Sequence, residues 1–223
     1  MLKITTAALA TLTAFAAHAS TVSYSFQDPL AKTEINQSGN LNLFDSTLGT
    51  LTGATLTLDG ANSTTFTLTN TSATAVTVKA QGETDLSFNS TLAQLDALMQ
   101  PSNPLILLDP LVTETLAVGA SYSTPSPLTA LANPNFDLSS ILSDLSVGGG
   151  GTFGLSCSSA TYLNLKVTGG NVSDNQTTQA SCGASITYTY TQAAPPAAVP
   201  EPGSLALVGA ALAGIALAVR RRA

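Results

Sequence analysis

The sequence contains no tryptophan, one histidine and two cysteines among its 223 residues, and each shortage removes a class of chemistry. The single histidine, His18, lies in a segment that reads as a cleavable leader, so the processed chain would have none. Without histidine neither a Ser-His-Asp nor a Cys-His arrangement can be assembled. Histidine-based zinc sites fall with it. No lysine stands three residues after a serine, which removes the S-x-x-K route as well. Catalytic residues and metal ligands are therefore expected to be none, and no cofactor is implied.

Charge is also scarce, at 9% of residues. All three arginines, Arg220, Arg221 and Arg222, stand at the extreme C-terminus, and Lys3 belongs to the leader. Between Ser20 and Pro202, Lys32, Lys79 and Lys166 face all thirteen acidic residues, leaving a formal charge of −10. Such a surface repels phosphate backbones and anionic lipid heads, which excludes nucleic acid as a partner. Serine and threonine supply about a quarter of the chain, and 44% of residues are hydrophobic. That hydrophobic share is too high for a disordered chain. The combination suits an extracellular β domain wetted by hydroxyls.

The two ends carry addresses. Met1-Leu2-Lys3 precedes an apolar stretch, Ile4 to Ala17, that closes on Ala17-His18-Ala19 before Ser20. A cation, a short apolar segment and an A-x-A site make a secretory signal peptide over residues 1–19, cleaved between Ala19 and Ser20. At the other end Ala and Pro from 193 to 199 form an extended spacer. Pro200-Glu201-Pro202 follows, then an apolar run from Leu205 to Val219, then the arginines. As a helix that run is roughly 22 Å long. Snorkelling arginines and local thinning help it meet a hydrocarbon core of about 30 Å. The three arginines hold that end in the cytoplasm and leave the domain on the far side.

Pro200, Glu201 and Pro202, the short apolar helix and the terminal arginines resemble the PEP-CTERM sorting signal, over 200–223. The resemblance implies an exosortase-type membrane enzyme as partner, which recognises the triplet and removes the tail. Anchoring in the inner membrane would then be transient, ahead of delivery to the cell surface or extracellular matrix. A permanent tail anchor is the rival reading.

Between the ends, residues 20–192 alternate with a period of two, the signal of half-buried strands. Val22, Tyr24 and Phe26 alternate with polar residues, as do Leu56 and Leu58 within 51–59. Asp59-Gly60 reads as a hairpin turn leading to Phe66 and Leu68. Val76 and Val78, Leu86 and Phe88, the segment 162–167 and Ser185 to Thr191 continue the pattern. Leu92, Leu95, Leu98 and Met99 fit a short helix ended before Pro101, and Leu138, Ile141, Leu142 and Leu145 fit another. The glycines at 148–151 read as a flexible loop. An all-β, sandwich-like domain with one or two short helical segments is expected. Cys157 and Cys182, an even pair in an exported chain, point to a disulfide contributing about 3 kcal/mol.

Phe44-Asp45 leading into Leu48 to Leu58, Asp137-Leu138-Ser139, Gly169-Gly170-Asn171-Val172 and Ile186 to Tyr190 resemble landmarks of the choice-of-anchor E domain. That resemblance implies an exported domain with no established activity. The cysteine pair departs from it.

Two acids suffice for glycoside hydrolysis, and Asp28, Asp45, Asp85 and Asp109 are candidates that no spacing selects between. Hard oxygen ligands for calcium are plentiful, but no EF-hand pattern appears. Asn-x-Ser/Thr triplets begin at Asn36, Asn62, Asn70, Asn89, Asn171 and Asn175, and only Asn36 has an acid, Glu34, two places before it. Thr55 to Thr57 and Thr65 to Thr67 form either hydroxyl ladders or an ordinary solvent face. The expectation is a non-enzymatic surface or matrix protein. The alternative is a module binding exopolysaccharide through Tyr24, Tyr122, Tyr162, Tyr188 or Tyr190.

Overall fold

From Ala54 to Asn70 every even-numbered residue is buried, Leu56, Leu58, Phe66 and Leu68 among them, and no odd-numbered residue is. Unbroken alternation builds one strand, not two. The computed structural model, which describes residues 19–193, has a single 22-residue strand at Gly49–Asn70. The hairpin expected at Asp59-Gly60 does not form. Gly60 serves close packing instead: a Cβ there would lie 2.8 Å from Leu86 Cδ1 and 2.9 Å from Leu105 Cδ2.

The strands in chain order are β1 (Ala19–Gln27), β2 (Ala31–Lys32), β3 (Asn36–Asn42), β4 (Phe44–Asp45), β5 (Gly49–Asn70), β6 (Val76–Ser90) and β7 (Leu105–Leu108). They continue as β8 (Val112–Leu116), β9 (Ser121–Ser123), β10 (Leu128–Ala132), β11 (Asn135–Asp137), β12 (Ser146–Val147), β13 (Thr152–Thr168) and β14 (Val172–Gln192). One sheet has the order β1-β14-β5-β10, with β9 and β11 also on β5 and β2 on β14. The other has the order β3-β13-β6-β7, with β8 also on β6. β4 and β12 form a short parallel pair. β14 spans all of β5, from Val172 opposite Asn70 to Gln192 opposite Gly49.

The inward residues of the two sheets share a core, so the architecture is an all-β sandwich. Leu56, Ala184 and Ile186 from the first sheet pack in one cluster with Leu86, Phe88 and Leu155 from the second. Phe66, Leu68, Val76, Val78, Ala80 and Leu116 form a second cluster. Fully burying side chains of this size stabilises the fold by about 1.5–3 kcal/mol each. Both helical expectations are met: α1 (Ala93–Met99) buries Leu95 and Met99 and runs into a 3-10 turn containing Pro101. α2 (Leu142–Leu145) follows a 3-10 turn and buries Leu145.

Cys157 on β13 and Cys182 on β14 are bonded, with Cα atoms 6.3 Å apart. Because β13 and β14 belong to different sheets, the disulfide ties the two layers together through the core. Ala17, the Pro200-Glu201-Pro202 triplet, the run 205–219 and Arg220–Arg222 lie outside the described residues. Among the described residues no helix is long and apolar enough to cross a membrane.

Candidate functional site

The inward parity of β5 also carries polar side chains. Asn62, Thr64 and Asn70 face the core with Leu58 and Phe66, and Thr84 and Thr178 face it from β6 and β14. Asn62 Nδ2 donates to Thr84 Oγ1 at 3.0 Å, joining the two sheets, while its Oδ1 accepts from Ala130 N at 2.7 Å. Thr64 and Thr178 hydroxyls lie 3.2 Å apart. Asp109, just past β7, is 1% exposed, and neither carboxyl oxygen makes a hydrogen bond to a described residue. Its carboxyl packs against Gly82, where any Cβ would collide with it. Burial pushes its pKa above the ordinary carboxylate value; the Thr64 and Asn62 side chains beside it pull the other way.

The structure does not gather the four candidate acids into a pair. Asp45 is a loop clamp: Oδ1 accepts from Thr47 N at 2.9 Å, Thr47 Oγ1 at 2.8 Å and Gly149 N at 2.9 Å. The Thr47 contacts come first among the causes that hold its pKa below the usual range. Gly149 and Gly150 both have positive φ, a backbone favouring glycine, and this brings the Gly149 N–H to Asp45. Asp85 points outward on β6, its pKa raised by burial and then by neighbouring Glu83. Asp28 follows β1 in the chain and has a buried Oδ2 without a partner among the described residues. Among the described residues no group of three or more His, Cys, Asp or Glu side chains is placed to hold a metal ion.

Four of the five tyrosines are drawn into packing. Tyr188 is fully buried and donates to Asn42 O at 2.9 Å. It therefore cannot touch a ligand, which corrects its place among the expected contacts. Burial, then the neighbouring Tyr24, raises its pKa far above the ordinary phenol value. Phe44 lies 5.8 Å from Tyr188 and 5.1 Å from Tyr190, and Tyr24 packs edge-on to Tyr188 at 6.2 Å. Tyr122 sits against Phe66 at 6.5 Å. Only Tyr162 stands out, 51% exposed on the outer face of β13.

Hydroxyls on the outer face of the larger sheet satisfy one another across strands. Thr67 meets Ser123 at 2.9 Å, Thr69 meets Ser121 at 2.8 Å and Ser23 meets Thr187 at 2.8 Å. This is the behaviour of a solvated strand face. Of the Asn-x-Ser/Thr triplets, Asn62 and Asn70 are 2% exposed with their amides engaged, so the folded domain offers neither for modification. Asn36, Asn89, Asn171 and Asn175 are exposed, and Glu34 is spent accepting from Ser159 and Thr161. Sequence reasoning missed the buried Asn62–Thr84–Asp109 layer. Its only signal was the even parity of Asn62 and Thr64 with the apolar residues of β5.

No curated protein matches the chain. A solved structure, "Structure of infectious bursal disease virus Gt strain", aligns at 12% identity over 88% of this chain, with a TM-score of 0.10 that carries no argument. The chain spans about half of that structure's chain, 47%. Residues 198–222 match the family model described as the PEP-CTERM protein-sorting motif. Pro200, Glu201, Pro202 and the three arginines fall inside that match. The chain thus carries a PEP-CTERM sorting signal, which supports exosortase-dependent sorting of an exported protein.

Proposed function

We propose that this is a non-enzymatic protein of the bacterial cell surface or extracellular matrix, led out by the 1–19 signal peptide and processed by an exosortase at its C-terminal signal. The sorting motif at 198–222 carries the reading. Held by the run 205–219 until the tail is cut, the protein presents its sandwich outside the inner membrane. On its resemblance, the 20–192 domain is of the choice-of-anchor E kind. Replacing Pro200, Glu201 and Pro202 together by alanine tests the sorting step by fractionation and immunoblot. The parent should leave the inner-membrane fraction and the variant should accumulate there at full length. Equal distribution of the two would refute it.

A second reading, a module that binds exopolysaccharide, is favoured by one observation. Tyr162 is a solvent-exposed aromatic ring on the outer face of β13. Aromatic faces of this kind stack on apolar ligand surfaces while the polar rim stays wet. Retention of the exported protein by the producer's own polysaccharide supports this reading, and free migration through it argues against.

A further inference from the structure

The middle strand of the five-stranded sheet carries small side chains on its outer face. β13 lies between β3 and β6, and its outward residues from 154 to 160 are Gly154, Ser156, Ser158 and Ala160. Larger side chains stand on the flanking strands. Asn40 lies opposite Gly154, and Ser156 has Ser38 on one side and Asn89 on the other. These residues and Thr91 line an open depression of about 330 Å³ at the Gly154 end. Gly154 and Thr91 close that end, the Gly154 N–H donating to Thr91 Oγ1 at 2.9 Å and the Thr91 N–H to Gly154 O at 3.0 Å.

The lining is entirely uncharged. Asn40 and Asn89 are exposed and hydrogen-bond through their side chains to no described residue. Each carboxamide presents donors and an acceptor together, the pattern that engages neighbouring hydroxyls. Along the same face, Tyr162 stands opposite Glu83, with Asn164 donating to Glu83 Oε2 at 2.6 Å. Gly154 to Tyr162 spans about 26 Å of strand. That length suits a polymer segment. Asp85 and Glu83 border the path to Tyr162 and disfavour an anionic chain there, while Lys79 and Lys166 face each other only beyond it.

We propose that the outer face of β13 is a binding trough for an extended neutral polysaccharide. Asn40 and Asn89 engage its hydroxyls above Gly154 and Ser156, and Tyr162 stacks on a ring further along. This proposal rests on the exopolysaccharide reading and names its site.

The test is affinity electrophoresis of the exported protein through gels containing dextran, cellulose-derived hydroxyethyl glucan or alginate, with thermal melts alongside. The variants are Ser156→Tyr, which fills the floor, Tyr162→Ala, and Lys79→Ala as control. The expected result is retardation by at least one neutral polymer. Ser156→Tyr and Tyr162→Ala should each weaken it by roughly tenfold with melting unchanged, and Lys79→Ala should not. Should Ser156→Tyr fail to fold, Tyr162→Ala and Asn89→Ala read the same site. Neutral-polymer binding that survives these changes overturns the trough while leaving carbohydrate binding intact. Retardation by alginate alone, lost in Lys79→Ala, overturns the neutral occupant. No retardation by any polymer overturns both the trough and the carbohydrate reading.

Discussion

Replacing Asp109 by asparagine should stabilise the domain at pH 8 and do much less at pH 4. The carboxyl is 1% exposed, packed against Gly82, and without a hydrogen-bond partner among the described residues. Burial raises its folded-state pKa above the ordinary carboxylate value, so the folded protein keeps this proton to higher pH than the unfolded chain does. Where the folded state binds more protons, stability falls as pH rises. The contribution of the neutral acid is therefore complete below about pH 4 and is lost as pH climbs through the raised folded value. Above it the fold must hold a buried, unpaired carboxylate. Leaving a buried polar group unsatisfied costs about 1–3 kcal/mol, and ionising it there adds about as much again. An amide of the same shape escapes the ionic part of that cost. A gain of about 1–3 kcal/mol at pH 8 corresponds to a rise of roughly 2–12 °C in Tm for a domain of this size. Thermal melts followed by circular dichroism at both pH values check it. A variant destabilised at pH 8 would refute the reasoning, because it would mean that the carboxylate has a favourable partner in solution.

Reducing the Cys157–Cys182 disulfide, or changing both cysteines to alanine, should cost about 3 kcal/mol from the loop it closes. That is a fall of roughly 6–12 °C in Tm, and identical melts with and without reductant would contradict it. Tyr188→Phe removes a donor to the Asn42 carbonyl and should cost about 1 kcal/mol in urea unfolding. In an alkaline absorbance titration of the parent, Tyr188 should ionise well above the ordinary phenol range, and only as the fold is lost. Five tyrosines titrating together in the folded protein would argue against its burial.

Strands were legible where alternation was clean, as at Val22, Tyr24 and Phe26, now in β1, and the disulfide followed from cysteine count and export. Leu95 and Met99 announced α1 by their spacing. Asp59-Gly60 misled because an Asp-Gly pair commonly marks a tight turn. Here Gly60 is needed for its lack of a side chain beneath Leu86 and Leu105, residues 26 and 45 positions away, which local pattern does not reveal. Asp109 was one candidate acid among four. Its burial depends on Gly82 and Asn62, which only the pairing of strands brings near it. Tyr188 and Tyr162 looked equivalent in an alternating pattern, yet one lines the core and the other faces solvent. The trough along β13 likewise depends on the register of Asn40 and Asn89 beside it, set by partners distant in sequence.

Export followed by sorting cleavage is tested most directly by the intact mass of the protein recovered from cells and from medium. The account predicts a species that begins at Ser20, ends near Pro200-Glu201-Pro202, lacks Arg220 to Arg222 and is two hydrogens lighter than its sequence. A full-length tail, still carrying the three arginines and found only in membranes, would contradict it.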